Sequence, residues 1–221
     1  MSGDGGIEVG NVAATAHGRF LLRPAAGSGP APLAVGFHGY GEGASSMLEA
    51  LLAVPGLAGW HVAAIQALHP FYHRVTGEVV ASWMTKQDRE LAIADNLGYV
   101  RRSLEAIAKR APVASPRVFA GFSQGCAMAY RAAADGGCDA VVALAGDVPP
   151  ELAEAGRWGR PPVLIGRGTR DPLYDEARWR RDERLLAELG SRVETCVFRG
   201  GHEWTSAFRR RAADFLGALP G

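Results

Sequence analysis

A chain of 221 residues that is 48% hydrophobic carries enough apolar side chain for one sizeable core, so a single domain spanning 1–221 is expected. Its 24 basic and 23 acidic side chains leave a formal charge of +1, which excludes a whole-molecule field for gathering nucleic acid or an anionic membrane surface and points to a small-molecule partner. Cys126, Cys138 and Cys196, odd in number and without a CxxC pair, argue against a disulfide framework or cysteine-built zinc site, MSGDGGIEVG lacks a basic start followed by an apolar core, and no stretch approaches the ~20 apolar residues of a span; a cytoplasmic protein without stable membrane insertion is expected.

Short apolar, β-branched segments predict strands at 33–39 (LAVGFHG), 61–65 (HVAAI), 117–121 (RVFAG), 139–146 (DAVVALAG), 162–166 (PVLIG) and 192–198 (RVETCVF). Helical spacing predicts helices at 45–54, 89–110, 124–135, 175–189 and 205–216. In the 89–110 segment Leu91, Ala94, Leu97, Val100, Leu104 and Ile107 mark the face expected to lie on the sheet. The run 24–32, rich in Gly, Pro and Ala, reads as an exposed turn, and 66–88, with its HPFYH cluster, as a loop over the sheet. Alternating strands and helices predict an α/β fold: a doubly wound, mostly parallel sheet with helices on both faces and chemistry just after the strands.

The segment predicted as strand 117–121 runs into Gly121-Phe122-Ser123-Gln124-Gly125, and a good helix former follows. A serine on such a strand-to-helix turn is held clear of the sheet, and its glycines lie where neighbouring backbone leaves no room for a Cβ. Ser123 is therefore the candidate nucleophile rather than a plain helix cap, with the Gln124 amide as one oxyanion donor. The hydroxyl needs a base, and His202, in Arg199-Gly200-Gly201-His202, is the one histidine that follows Ser123 in the chain. Asp171, before Pro172 and after the 162–166 strand, is the candidate acid; Asp147, after the preceding strand, remains open as an alternative, and Asp175 reads as a helix N-cap. The loop His38-Gly39-Tyr40-Gly41-Glu42 supplies the second oxyanion donor, the Tyr40 amide, with His38 expected to hold the loop by hydrogen bonds. Cys126 reads as a small buried hydrophobe. The six histidines show no HxH or HExxH spacing, so neither a metal nor another cofactor is expected.

These residues resemble the phospholipase/carboxylesterase family of α/β-hydrolases, which includes acyl-protein thioesterases and small bacterial carboxylesterases. The resemblance runs from about Leu33 to the C-terminus and rests on HGYGE, GFSQG, Asp171, Gly201-His202 and Ser82-Trp83-Met84. It implies the α/β-hydrolase fold, a Ser123–Asp171–His202 triad, oxyanion amides at Tyr40 and Gln124, and Trp83 lining the acyl groove. Cys126, Glu42 and Tyr174 depart from the usual small residue, Asp and small aliphatic residue at their positions.

About fifteen residues separate VVALAG from PPVLIG, too few for a helical lid domain. An open site lined by Phe71, Tyr72, Trp83 and Met84 favours short to medium acyl chains or a surface-presented acyl group. The expected partner is a small ester or thioester, with a homodimer left open. A dienelactone-hydrolase-like or peptidase-like enzyme on the same scaffold, and a catalytically silent ligand-binding protein of this fold, are the alternatives.

Overall fold

The computed structural model describes residues 7–154 and 156–220. In chain order the strands are β1 (Phe20–Arg23), β2 (Ala31–Phe37), β3 (His61–Ile65), β4 (His69–Tyr72), β5 (Val79–Ser82), β6 (Val113–Phe122), β7 (Ala140–Leu144), β8 (Val163–Gly168) and β9 (Val193–Phe198). The helices are α1 (Ala44–Leu52), α2 (Arg89–Ala108), α3 (Gln124–Asp135), α4 (Glu151–Glu154), α5 (Glu176–Glu188) and α6 (Ser206–Gly217). Seven strands form one sheet in the order β1-β3-β2-β6-β7-β8-β9, parallel throughout except for the antiparallel edge strand β1.

Alternate residues of each strand feed the two faces. Leu33, Val35 and Phe37 of β2 join one core with side chains of α2, α3 and α5, while Ala34 joins the other with side chains of α1 and α6. Each fully buried Leu, Ile or Phe adds about 1.5–3 kcal/mol relative to exposure, which holds helices on both faces. Capping places two helices next to the site. Asp175 accepts the Arg178 N–H at 2.9 Å to open α5, and Thr205 accepts the Phe208 N–H at 3.2 Å to open α6, three residues beyond His202.

Two expectations are corrected. The 66–88 segment is more than a loop: β4 and β5 form a separate antiparallel hairpin, so HPFYH contributes a strand. In α2 the buried residues are Asn96, Tyr99, Val100, Ser103 and Ile107, whereas Leu91 is half exposed. The buried face is rotated because Asn96 reaches the Trp83 carbonyl at 2.7 Å and the Tyr99 hydroxyl reaches the carbonyls of Arg19 and Gln66, partners supplied by distant segments. Edge strand β1 was not predicted either; its half-buried residues alternate too weakly to announce it. Between β7 and β8 the described residues hold only the four-residue α4 and no lid. No helix among the described residues is long and apolar enough to cross a membrane.

Candidate active site

The elbow forms where the C-terminal end of β6 meets α3. Ser123 adopts φ 52° and ψ −120°, a conformation costing a non-glycine residue of order 1–3 kcal/mol. It persists because the Ser123 N–H donates to the Leu144 carbonyl at 2.9 Å and its own carbonyl accepts the Cys126 N–H at 3.0 Å. The glycines are required by close approach: a Cβ on Gly125 would lie 2.0 Å from the Phe37 carbonyl oxygen, and one on Gly121 would lie 2.5 Å from the Cys126 Cα. The Ser123 side chain makes no capping bond to α3, so its hydroxyl is not used by the helix. Cys126 is buried, donates its thiol to the Leu144 carbonyl at 3.2 Å, and is pushed well up in pKa by burial; it packs as a protonated small side chain.

Asp171 and His202 meet across 31 positions of sequence: His202 Nδ1 lies 2.8 Å from Asp171 Oδ2, and the Asp171 carboxylate is fully shielded from solvent. A carboxylate acceptor places the proton on Nδ1 and leaves the Nε2 lone pair free to act as a base. The other carboxylate oxygen accepts the N–H groups of Leu173 at 2.8 Å and Tyr174 at 3.0 Å. The His202 ring packs at a tilt against Phe122, immediately before Ser123, with centroids 4.9 Å apart. Among the described residues the Ser123 hydroxyl has no hydrogen-bond partner, His202 included; such bonds commonly tighten only when substrate arrives. Asp147 is half exposed and engaged by Arg178 at 3.1 Å and Arg181 at 2.9 Å, which removes it as the partner of His202.

The loop expected to supply the second oxyanion donor is built by His38. Its Nε2 accepts the Ala67 N–H at 3.0 Å, so the proton sits on Nδ1, which donates to the Gly39 carbonyl at 2.7 Å. Because a trans peptide points its C=O and N–H in opposite directions, this bond turns the Tyr40 N–H away from His38. Burial favours the neutral ring and pulls the His38 pKa below its ordinary value, against the opposing pull of the Gly39 bond. Glu42 accepts the Gly39 N–H at 2.8 Å; burial raises its pKa, opposed by that bond and by the field of His202. The loop is also stitched to β5 through Gly41 N–H to the Ala81 carbonyl (3.1 Å) and Ala81 N–H to the Glu42 carbonyl (2.8 Å). The backbone N–H groups of Tyr40 and Gln124 meet no acceptor among the described residues, which leaves both available to an oxyanion.

Of the four residues expected to line the site, Trp83 is corrected. It is 0% exposed, donates its indole N–H to the His38 carbonyl at 2.9 Å and packs against Phe37 and His38, because a buried indole must satisfy its N–H and finds that carbonyl within reach. Its backbone N–H donates to Gln124 Oε1 at 3.0 Å, and Gln124 Nε2 donates to the Met84 carbonyl at 3.0 Å, so the Ser82-Trp83-Met84 segment braces the elbow. The half-buried Met84 side chain turns to the Arg131 guanidinium, with Sδ 3.7 Å from Nη1. Phe71 does lie beside the oxyanion loop, its ring 5.5 Å from that of Tyr40. Asn96 and Asp182, which brace the surrounding loops, were not predicted; the one trace in the sequence is a polar residue within an otherwise apolar helical spacing. No cluster of three or more His, Cys, Asp or Glu suited to a metal ion occurs among the described residues.

The sheet order, the strained elbow and the chain order of serine, acid and histidine define an α/β-hydrolase fold. The structure is similar to that of the esterase PE8, with a TM-score of 0.73 at 23% identity over 92% of this chain and 99% of that one. It is also similar to a phospholipase/carboxylesterase from Dyadobacter fermentans (TM-score 0.69, 19% identity, 93% of this chain and 99% of that one). A third likeness is to the acyl-protein thioesterase 2 of Zea mays (TM-score 0.62, 18% identity, 91% and 99%). No family model matches the sequence, and no curated protein matches it.

Proposed function

We propose that this protein is a serine hydrolase of carboxylic esters or thioesters, of the phospholipase/carboxylesterase kind, acting through an acyl-enzyme on Ser123. The observation that carries this reading is the 2.8 Å pairing of His202 Nδ1 with the shielded Asp171, together with a strained-elbow serine whose hydroxyl makes no capping bond. The resemblance of the fold to proteins named as esterases and a thioesterase supports it.

In this mechanism Ser123 Oγ attacks the acyl carbonyl while His202 Nε2 takes the hydroxyl proton. The oxyanion receives the Tyr40 and Gln124 N–H groups, each donor being worth about 10²–10³ in rate. Collapse expels the alcohol or thiol, which leaves with the proton from His202. Water then attacks the acyl-enzyme, gives its proton to the same imidazole, and releases the carboxylic acid and the serine. The open rim beside Phe71 and Tyr40 suits short to medium acyl chains.

Hydrolysis of p-nitrophenyl acetate, butyrate and octanoate, run alongside fluorophosphonate labelling, tests the reading. Turnover and labelling by the wild type, both lost in Ser123→Ala, with turnover lost in His202→Ala, are expected. A wild type that neither hydrolyses nor labels would overturn it in favour of a ligand-binding protein of this fold.

A further inference from the structure

Asp171 is aimed by a turn whose own anchor lies outside the triad. Its Oδ1 is held by the N–H groups of Leu173 and Tyr174, so the direction of Oδ2 toward His202 depends on where residues 173 and 174 are fixed. The Leu173 side chain is exposed and fixes nothing. Tyr174 is buried, and its phenol donates to Asp182 Oδ2 at 3.0 Å.

Asp182, on α5, is 0% exposed and joins three segments. The oxygen that holds Tyr174 also accepts the Val148 N–H at 2.9 Å, from the loop after β7, and Oδ1 accepts Nε and Nη2 of Arg181 at 2.9 and 2.7 Å. That loop packs against the nucleophile: a Cβ on Gly146 would stand 2.1 Å from the Ser123 carbonyl oxygen. A buried carboxylate is costly unless its lone pairs are met, and apolar residues at 174 and 182 would fill this space without that cost. What the acid and phenol add over an apolar pair is a direct tie between the turn under Asp171 and the backbone beside Ser123.

We propose that Asp182, acting through Tyr174, is a positioning residue that holds Asp171 on His202 and keeps the acid loop in register with the nucleophile elbow. The proposal rests on the reading of Asp171 and His202 as acid and base. Neither Tyr174 nor Asp182 touches the reacting atoms.

The test compares full-length wild type, Tyr174→Phe, Asp182→Asn and His202→Ala by p-nitrophenyl butyrate kinetics, thermal melting and the low-field proton resonance of the His202–Asp171 hydrogen bond. A kcat reduced about 10- to 100-fold in Tyr174→Phe and Asp182→Asn, with KM within about twofold, matches a slightly misplaced acid. The low-field resonance should shift or broaden in both variants and vanish in His202→Ala. Lowered melting with kcat and resonance unchanged would overturn the proposal and leave the pair as packing alone, and so would a wild type lacking the resonance. If no form hydrolyses the ester while the resonance responds as expected, positioning stands and the esterase reading falls.

Discussion

The Trp83 indole donates to the main-chain carbonyl of His38 at 2.9 Å, with the two rings 5.4 Å apart, so the residue expected to face an acyl chain instead supports the 38–42 loop from behind. Trp83→Phe keeps the ring and removes the donor, stranding a buried carbonyl at a cost of about 1–3 kcal/mol. Urea unfolding should register that loss, and kcat should fall as the loop loosens, while the ratio of octanoate to butyrate hydrolysis stays at its wild-type value. A changed chain-length ratio would return Trp83 to the groove.

The two candidate acids separate cleanly under substitution. Asp171→Asn removes the charge that orients and stabilises the His202 imidazolium and should lower kcat by about 10⁴. Asp147→Asn breaks only its exposed pairs with Arg178 and Arg181 and should leave kcat within about twofold. Ester kinetics on the two variants decides the matter, and equal losses would contradict the assignment.

His38 links stability to pH. Its folded-state pKa lies below the unfolded value near 6.5, so between the two the unfolded chain binds more protons. Its contribution is complete above pH 6.5 and is lost as pH falls through the folded value. His38→Asn should therefore be less stable than wild type at pH 7.5 by denaturant unfolding, with the difference shrinking toward pH 5. The same variant releases the Gly39 carbonyl and should cost up to about 10² in kcat through the Tyr40 donor. A difference independent of pH would show that the buried ring does not titrate as described.

Gly125→Ala places a methyl 2.0 Å from the Phe37 carbonyl oxygen, and both groups belong to backbone. No side chain can rotate to relieve the clash, so β2 and α3 must separate. Overpacking of this kind costs typically 1–3 kcal/mol, and the shift lands on the Gln124 amide. Melting and kcat should fall together; a variant of unchanged melting temperature and activity would mean the elbow tolerates a Cβ.

The strands of the sheet centre were readable because their residues are apolar on both faces, and α3 was readable to its end residues because nothing in GCAMAYRAAA competes with helix. The edge elements were harder. β1 is half buried, and β4 carries His69, Pro70 and Tyr72, which its hairpin partner β5 accommodates without a hydrophobic alternation to announce it. The face of α2 was misjudged for a related reason: Asn96 and Tyr99 are buried by hydrogen bonds to chain segments far away in sequence, and hydrophobic periodicity takes no account of such partners.

The elbow, His202 as the candidate base and the alternation of the central strands and helices are legible in the sequence alone, because glycines beside a serine, a lone downstream histidine and apolar runs are local facts. Only the folded chain pairs His202 with Asp171 rather than Asp147, buries Trp83 behind the 38–42 loop and places Asp182 beneath the Asp171 turn. Hydrogen-bond geometry falls off within a few tenths of an ångström, and no spacing along a chain specifies which of two carboxylates, 24 residues apart, will meet an imidazole at 2.8 Å.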